Sequence, residues 1–439
     1  MAVATEIFTV DKISEINELW LHPSPSFIVD RASIDLGINI NALGFAGAQR
    51  GDEGKGRYVY EWIHQMHKAQ KEGVAIRIGG GPGAGHTFYP ENDEEIVFRM
   101  LPSAVDHDWK QVAGRGELVR PDIIIKEIEM LKQRGYDVSP KRIMIDGAAF
   151  LAWDAHVERD KAEEILRGSQ NVGTTQSGVG PAASDFTARQ GMRMGELNLP
   201  QEGLRKKITE EVERQNRMLR ALLSEKQFDP EEVYKQFLEY KRLLGQYIQN
   251  TYPVVIPALQ RGYIAAECAQ SFTLGIDTGF RGNQTSTDTG FGPLSRRYRT
   301  KEKYLGWRVG VMKMVPTFVG RHMNHSPLQE ASAELLYTRT GERGRPEAGS
   351  VSGRKRTYYW TSIPEIRAAI DTYDLNALVI AKVDVADTLP EIQLGMEYVF
   401  PDGQIHRIVK GRDAQNDPVC DALNYRNSSF VVPREIIAI

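Results

Sequence analysis

One stretch sets the frame for this chain: a strand has to end in a glycine-rich turn, and a helix has to start from that turn. Ile38 to Ala46 is an apolar run with the length of a buried strand. Gly47-Ala-Gln-Arg-Gly-Asp-Glu-Gly-Lys-Gly-Arg57 follows, and Arg57 to Ala69 has helical spacing. Strand, turn and helix in that order present backbone N–H groups and a helix N-terminus to an anion. The turn carries two carboxylates, Asp52 and Glu53, and one ammonium, Lys55. A phosphate loop needs the lysine; a carboxylate beside it points to a metal ion or to a proton that must move. This is not a Walker A loop, which reads G-x-x-x-x-G-K-[ST]: Gly54-Lys55 is followed by Gly56, and Gln49 stands where the first glycine belongs. A plain polar strand–helix connection is the competing reading.

The pattern then recurs. Val74 to Ile78 reads as a second buried strand running into Gly79-Gly-Gly-Pro-Gly-Ala-Gly-His-Thr87. Such a density of glycine is neither helix nor strand, but a loop whose backbone something can approach closely. The dinucleotide pattern G-x-G-x-x-G fits at no register. His86 and Thr87 close the loop with an imidazole and a hydroxyl. A helix from Ile123 to Arg134, a strand from Lys141 to Ile145 and a charged helix from Asp154 to Arg167 continue the alternation, which predicts an α/β fold with a largely parallel sheet.

Gly173 to Pro181 is a third glycine- and hydroxyl-rich loop, able to ligate a phosphate or to serve as a solvated linker. Arg189 and Arg193 follow as candidates for an anionic partner or an interface. Leu204 to Leu223 and Pro230 to Ile248 read as two antiparallel helices of a charged helical layer over 203–250. Tyr263 to Gln270 is a strand leading into a polar stretch, Leu274 to Gly290; polar residues at the C-terminal ends of parallel strands are where α/β folds place ligands. Tyr304 to Met314 has helical spacing. Gly353-Arg-Lys-Arg356 sets three cations in a Gly/Ser-rich loop suited to carboxylates or a small polyanion. Leu378 to Val385 is a strand carrying Lys382 and Asp384, a K-x-D arrangement whose carboxylate can accept guanine N–H protons. A strand pair, Gln393–Phe400 and Gln404–Val409, turns at Pro401-Asp-Gly403. Residues 1–37 read as an N-terminal extension without visible chemistry.

Composition narrows the class. The 439 residues carry a net charge of −3, which favours neither nucleic acid nor anionic membrane as a partner. Two cysteines, Cys268 and Cys420, argue against a disulfide framework and suit a reducing compartment. No window approaches 18 uncharged apolar residues. A cytoplasmic protein is expected.

Taken together, the loops resemble the adenylosuccinate synthetase family from about residue 40 to residue 410. The family's Q-W-G-D-E-G-K-G appears as Gln49 to Gly56, G-G-x-N-A-G-H-T as Gly80 to Thr87, and G-T-T-x-x-G-I-G-P as Gly173 to Pro181. E-G-A-Q appears as Glu267 to Gln270, T-G-R-R-R as Ser352 to Arg356, and T-K-L-D as Ala381 to Asp384. The resemblance implies one catalytic unit from residue 38, with a large, mostly parallel central sheet flanked by helices in a P-loop-like fold, and a helical insertion at about 203–250. It implies a ligase of purine biosynthesis that joins L-aspartate to C6 of IMP with NTP hydrolysis through a 6-phosphoryl nucleotide. By the same resemblance Asp52 is the base at purine N1 and a Mg²⁺ ligand together with the Gly85 carbonyl, and His86 donates to the transferring phosphoryl group. Glu53, Gly54, Lys55, Gly56, Thr87, Lys382 and Asp384 are implied for the NTP, with GTP the donor. Thr175, Gln270 and Thr285 are implied for the substrate nucleotide, along with Arg189 from the neighbouring subunit of a homodimer; Ser352, Arg354 and Arg356 are implied for aspartate.

The departures bear on which nucleotides bind. The asparagine of N-A-G-H-T is Gly83, the tryptophan before G-D-E-G-K-G is Arg50, which adds charge near the site, and the E-G-A-Q glycine is Cys268. The C-terminal S-T-G-P-x-R segment of the guanine pocket is absent, which leaves ATP open as donor. Gly83 leaves room for a 2-amino group, so a GMP- or dGMP-using relative, similar to phage 2-aminoadenylosuccinate synthetases, is an alternative to IMP. Those enzymes replace the catalytic aspartate with a small residue, whereas Asp52 is present here, so IMP ranks first. A nucleotide-binding sensor that has lost catalysis is a third reading.

Overall fold

In a computed structural model the structure describes residues 39–91, 93–168, 172–279, 284–318, 333–334, 336–337, 355–383, 389, 392–399, 405–406 and 426–432. The N-terminal extension, Ser352, Arg354, Asp384 and the Pro401-Asp-Gly403 turn lie outside the described residues.

Eight strands build the central sheet: β1 (Ala42–Gly47), β2 (Gly73–Ile78), β3 (Trp109–Ala113), β4 (Ile143–Asp146), β5 (Ile248–Gln249), β6 (Tyr263–Ser271), β7 (Trp307–Lys313) and β8 (Ala377–Ala381). Their order is β5-β4-β3-β2-β6-β1-β7-β8, and every neighbouring pair is parallel. Parallel strands need covered faces. Helix α1 (Lys55–Lys68) turns Val59, Trp62, Ile63 and Met66 onto Leu43, Phe45, Ala265, Val309 and Val311. On another part of the sheet, α7 (Tyr252–Arg261) and α8 (Ile363–Tyr373) pack in one cluster with Ala42, Val74, Ile76 and Ile264.

The largest cluster lies beyond β3 and β4, where α2 (Pro121–Gln133), α3 (Asp154–Arg167), α5 (Gln201–Ala221) and α6 (Pro230–Leu244) meet the sheet edge. The two helices expected over 203–250 are α5 and α6, and they pack on each other. Asp229 caps α6 by accepting from Glu231 and Glu232 N–H.

Two expectations change. Tyr304 to Met314 is not helical: Glu302–Tyr304 makes one 3₁₀ turn and β7 follows, pairing with β1 and β8. A short apolar run buried on both sheet faces loses the alternation that would mark it as a strand. The third loop is shorter than expected, because Val179 begins helix α4 (Val179–Thr187).

Candidate active site

The chemistry-bearing loops leave the C-terminal ends of β1, β2 and β6, which are adjacent in the sheet. After β1 the chain turns through Gly51 (φ +99), Asp52 (φ 59) and Gly54 (φ +88) before α1 starts at Lys55. Three left-handed residues in four force the reversal, and two are glycine for that reason. A non-glycine held there marks a position fixed by its surroundings.

Glu53 points inward. It accepts from Lys55 Nζ at 2.8 Å, from Gly51 N–H at 2.8 Å and from the Ser271 hydroxyl at the end of β6. Burial pushes its carboxyl up, but Lys55, Ser271 and Gly51 together hold it below the usual range. Glu53 therefore fixes the loop instead of offering itself to a ligand. A Cβ on Gly47 would lie 2.0 Å from Ser271 Oγ and 2.5 Å from Glu53 Oε2, so this interlock requires glycine.

His86 begins the short strand Thr87 belongs to (His86–Phe88), against the start of α1: a Cβ on Gly56 would meet His86 Cβ at 2.8 Å. The His86 Nδ1 pairs with Glu267, a wholly buried carboxylate in the middle of β6. Glu267 also accepts from Ser103 N–H at 2.7 Å and Ser103 Oγ at 2.8 Å. Burial drives His86 down to about 4, and the Arg77 guanidinium adds to this against the pull of Glu267. Burial raises Glu267, but His86, Arg77 and the Ser103 N–H outweigh it and hold it at about 2. At neutral pH, then, an ionised Glu267 accepts the Nδ1 proton of a neutral imidazole, and Nε2 keeps its lone pair. Arg77, buried at the end of β2, donates to the Ala84 carbonyl at 2.9 Å and so braces the loop before His86.

Asp52 faces Arg356: Nη2 lies 2.9 Å from Oδ2, with Arg356 8% exposed. The residue expected as base and a residue expected to hold aspartate thus meet directly. Gln270 (φ 55) ends β6 with its amide oxygen buried and without a protein partner. Thr285 is tied to this region through its N–H on the Leu274 carbonyl at 2.6 Å. Lys382 follows β8 with φ 61.

The third loop differs from expectation. Four of its backbone N–H groups already have carboxylate acceptors: Glu164 takes those of Val172, Gly173 and Thr174, and Asp160 takes that of Gly178. Both carboxylates project from α3. What the loop offers a ligand is its hydroxyls, with the exposed Thr175 donating to Ser177 Oγ at 3.0 Å. Arg189 is exposed in the turn after α4, whereas Arg193 is stacked over Phe150 and Phe186 and belongs to the packing. Arg50 likewise adds no open charge: it is buried, ion-paired with Glu365 at 2.7 Å and set over the Tyr359 ring.

Glu267 and Ser103 carry roles that motif reasoning did not assign. The signal was present for Glu267, a carboxylate inside an otherwise apolar strand. Asp52 and the Gly85 carbonyl are hard oxygen donors of the kind Mg²⁺ takes. Among the described residues two other groups have metal-like spacing, His67/His107/Asp108 and His156/Asp185/Glu211. In the second, Arg159 and Arg214 already neutralise the carboxylates.

Known proteins resemble this chain over most of its length. The adenylosuccinate synthetase family profile matches residues 45–423. An adenylosuccinate synthetase of Chlorobium limicola is 30% identical over 362 residues, 82% of this chain and 80% of that protein. One of Pelodictyon phaeoclathratiforme is 29% identical over 83% of this chain and 82% of its own length. The fully ligated adenylosuccinate synthetase structure from Plasmodium falciparum superposes with a TM-score of 0.78 at 24% identity, covering 90% of this chain and 88% of that one. The succinoaminodeoxyadenylate synthetase of cyanophage S-2L, bound to dGMP and to dATP as energy donor, is more distant, with a TM-score of 0.54 at 16% identity over 88% and 98%. The chain belongs to the adenylosuccinate synthetase family of carbon–nitrogen ligases.

Proposed function

We propose that this chain joins L-aspartate to C6 of IMP, using an NTP and a 6-phosphoryl intermediate. The observation that supports this best is the Asp52 carboxylate held in a left-handed turn against Arg356, with the Glu267–His86 pair beside the same loop. Asp52 takes the N1 proton, and the electron pair moves to O6, which attacks the γ-phosphorus as the bond to the leaving nucleoside diphosphate breaks. The amine of aspartate then attacks C6, the C6–O bond breaks, phosphate leaves, and the amine gives up a proton. Positioning and charge neutralisation carry most of such a reaction.

His86 donates from Nε2 only when it gains a proton. The anionic phosphoryl group on one side and Glu267 on the other both favour the imidazolium, reversing the effect of burial. The carboxylates of aspartate compete for Arg356, and its transfer to them leaves Asp52 free for the purine. Asp52 and the Gly85 carbonyl would hold Mg²⁺, which would supply charge neutralisation at the phosphate oxygens. Thr175, Gln270 and Thr285 contact the nucleotide, Ser352, Arg354 and Arg356 the amino acid, and Lys55, Thr87, Lys382 and Asp384 the NTP. Arg189, exposed after α4, reaches the nucleotide of a second subunit in a homodimer.

The test is phosphate release with aspartate, GTP or ATP, and IMP, GMP or dGMP in turn. IMP is expected to support turnover and form the succinyl-purine product. Preference for GMP or dGMP selects the alternative substrate, and no release with any combination sinks the ligase reading in favour of a binding protein. Asp52→Ala is expected to abolish turnover; activity within about tenfold of wild type contradicts its role as base.

A further inference from the structure

The strand Ile96–Phe98 delivers Arg99 to the junction of two of the loops above. Its backbone N–H is fixed on Glu127 Oε1 at 2.6 Å, and Glu127 also takes the N–H groups of Met100 and Leu101. The side chain runs from there between the second and third glycine-rich loops. Nε donates to the Pro82 carbonyl at 2.7 Å and Nη2 to Ser177 Oγ at 3.1 Å. Among the described residues no carboxylate forms an ion pair with Arg99, and Nη1 has no acceptor. Glu127 and Asp122 act on its charge only from beyond ion-pair distance, and a partly buried guanidinium so placed gains from an anion that joins it.

Much of the third loop's backbone is already committed to side chains of its own fold. The third loop's N–H groups at 172–174 and 178 are engaged by Glu164 and Asp160. At Gly83 there is no side chain, and a Cβ there would already sit 3.0 Å from Thr175 Oγ1. What faces the junction is two hydroxyls, Thr175 and Ser177, and one cation.

We propose that Arg99 is a binding residue for the 5′-phosphate of the purine nucleotide substrate, supplying with Thr175 and Ser177 the contact that Gly83 cannot make. This rests on the ligase reading and adds a residue that the family motifs do not contain. A guanidinium presents two parallel donors to a phosphate monoester, and charge-assisted bonds of this kind are strong. Arg99 also ties the Pro82 loop to the Ser177 loop, so a phosphate bound there would meet a side chain that both loops hold in place.

The experiment measures dissociation constants of wild type, Arg99→Gln and Arg99→Lys for IMP against inosine, and for GMP against guanosine. Arg99→Gln is expected to weaken the monophosphate by about 10- to 100-fold while moving the nucleoside by less than about threefold. Arg99→Lys keeps the charge and is expected to retain most of the preference for the monophosphate, which covers the case in which the glutamine variant folds poorly. Inorganic phosphate is expected to compete with IMP in wild type and to lose that effect in Arg99→Gln. Equal weakening of nucleotide and nucleoside reduces Arg99 to a bridge between loops and overturns the assignment, as does unchanged affinity for the monophosphate. If wild type turns over while Arg99→Gln binds normally, only this assignment fails; a wild type that binds no purine monophosphate overturns the ligase reading and this one with it.

Discussion

Glu267→Gln isolates the role of the buried carboxylate. The change keeps the volume but replaces one acceptor oxygen with an NH₂ group, at a position with no exposure. Wild-type Glu267 accepts from His86 Nδ1, from Ser103 N–H and from Ser103 Oγ. The Ser103 backbone N–H cannot become an acceptor, so the glutamine oxygen must stay with it and the NH₂ group must face His86. The imidazole then has to present Nδ1 as acceptor and carry its proton on Nε2, the opposite tautomer. It also loses the one charge that draws a proton to it, while burial and Arg77 continue to oppose protonation. The variant's Nε2–H can still donate, but from a neutral ring in place of an imidazolium; the difference of about 1–1.5 kcal/mol between charged and neutral donors lowers turnover about tenfold. Rearranging a buried hydrogen-bonded pair costs about 1–3 kcal/mol in stability, a shift of a few degrees in a chain of this size. Steady-state phosphate release gives the first number, thermal unfolding the second, and ¹⁵N NMR of labelled histidine reports the tautomer. Turnover within threefold of wild type, or an Nδ1–H tautomer that persists in the variant, refutes the reasoning.

Two further expectations concern stability. His86 titrates at about 4 in the folded chain, below the ordinary 6.5, so between those values the unfolded chain binds a proton that the folded one does not. Stability is therefore expected to fall as pH drops from about 6.5 towards 4, with Glu267, held at about 2, adding its own loss below about 4.5. Urea midpoints at pH 7 and pH 5 check this, and an equal pH dependence in His86→Gln argues against it. Arg50→Met leaves the Glu365 carboxylate buried without its guanidinium and is expected to cost about 3–5 kcal/mol, largely recovered by adding Glu365→Gln. A single variant as stable as wild type shows that the pair contributes nothing.

Strands bounded by glycine-rich loops were the legible part of the fold. Val74–Ile78 and Tyr263–Gln270 coincide with β2 and β6 to within a residue, and the helix expected at Asp154–Arg167 is α3. The misreadings share a cause, since short elements do not show their period. β7 has helical spacing in the sequence for that reason, and α4 lies hidden behind the glycines that precede it. Helix α8 has no place in the reading of the sequence, although Ser362-Ile-Pro-Glu365 carries a serine cap with proline in the first turn and the Ser362 hydroxyl accepts from the Glu365 N–H. At the site, the loops and the special residues Asp52, Lys55 and His86 could be read from motif order. Which carboxylates face inward could not, because Glu53 and Asp52 are neighbours in sequence and only the turn's dihedral angles separate their directions. Arg99 escaped notice because a cation after a short strand has no pattern; its meaning comes from two loops that meet it from 17 and 78 positions away.

The interlock at Gly47 has a consequence for motion. Ser271, Glu53 and Lys55 close over that glycine so tightly that no atom could be added there, and the first two reach it from different strands' ends. The Asp52 turn is therefore carried by the middle of the sheet as part of one rigid body. A change in its shape has to break the Glu53–Ser271 hydrogen bond that ties it to the end of β6. Whatever rearrangement accompanies ligand binding must fall on the groups that approach this turn, Arg356 above all, while the turn itself acts as the anvil against which they close.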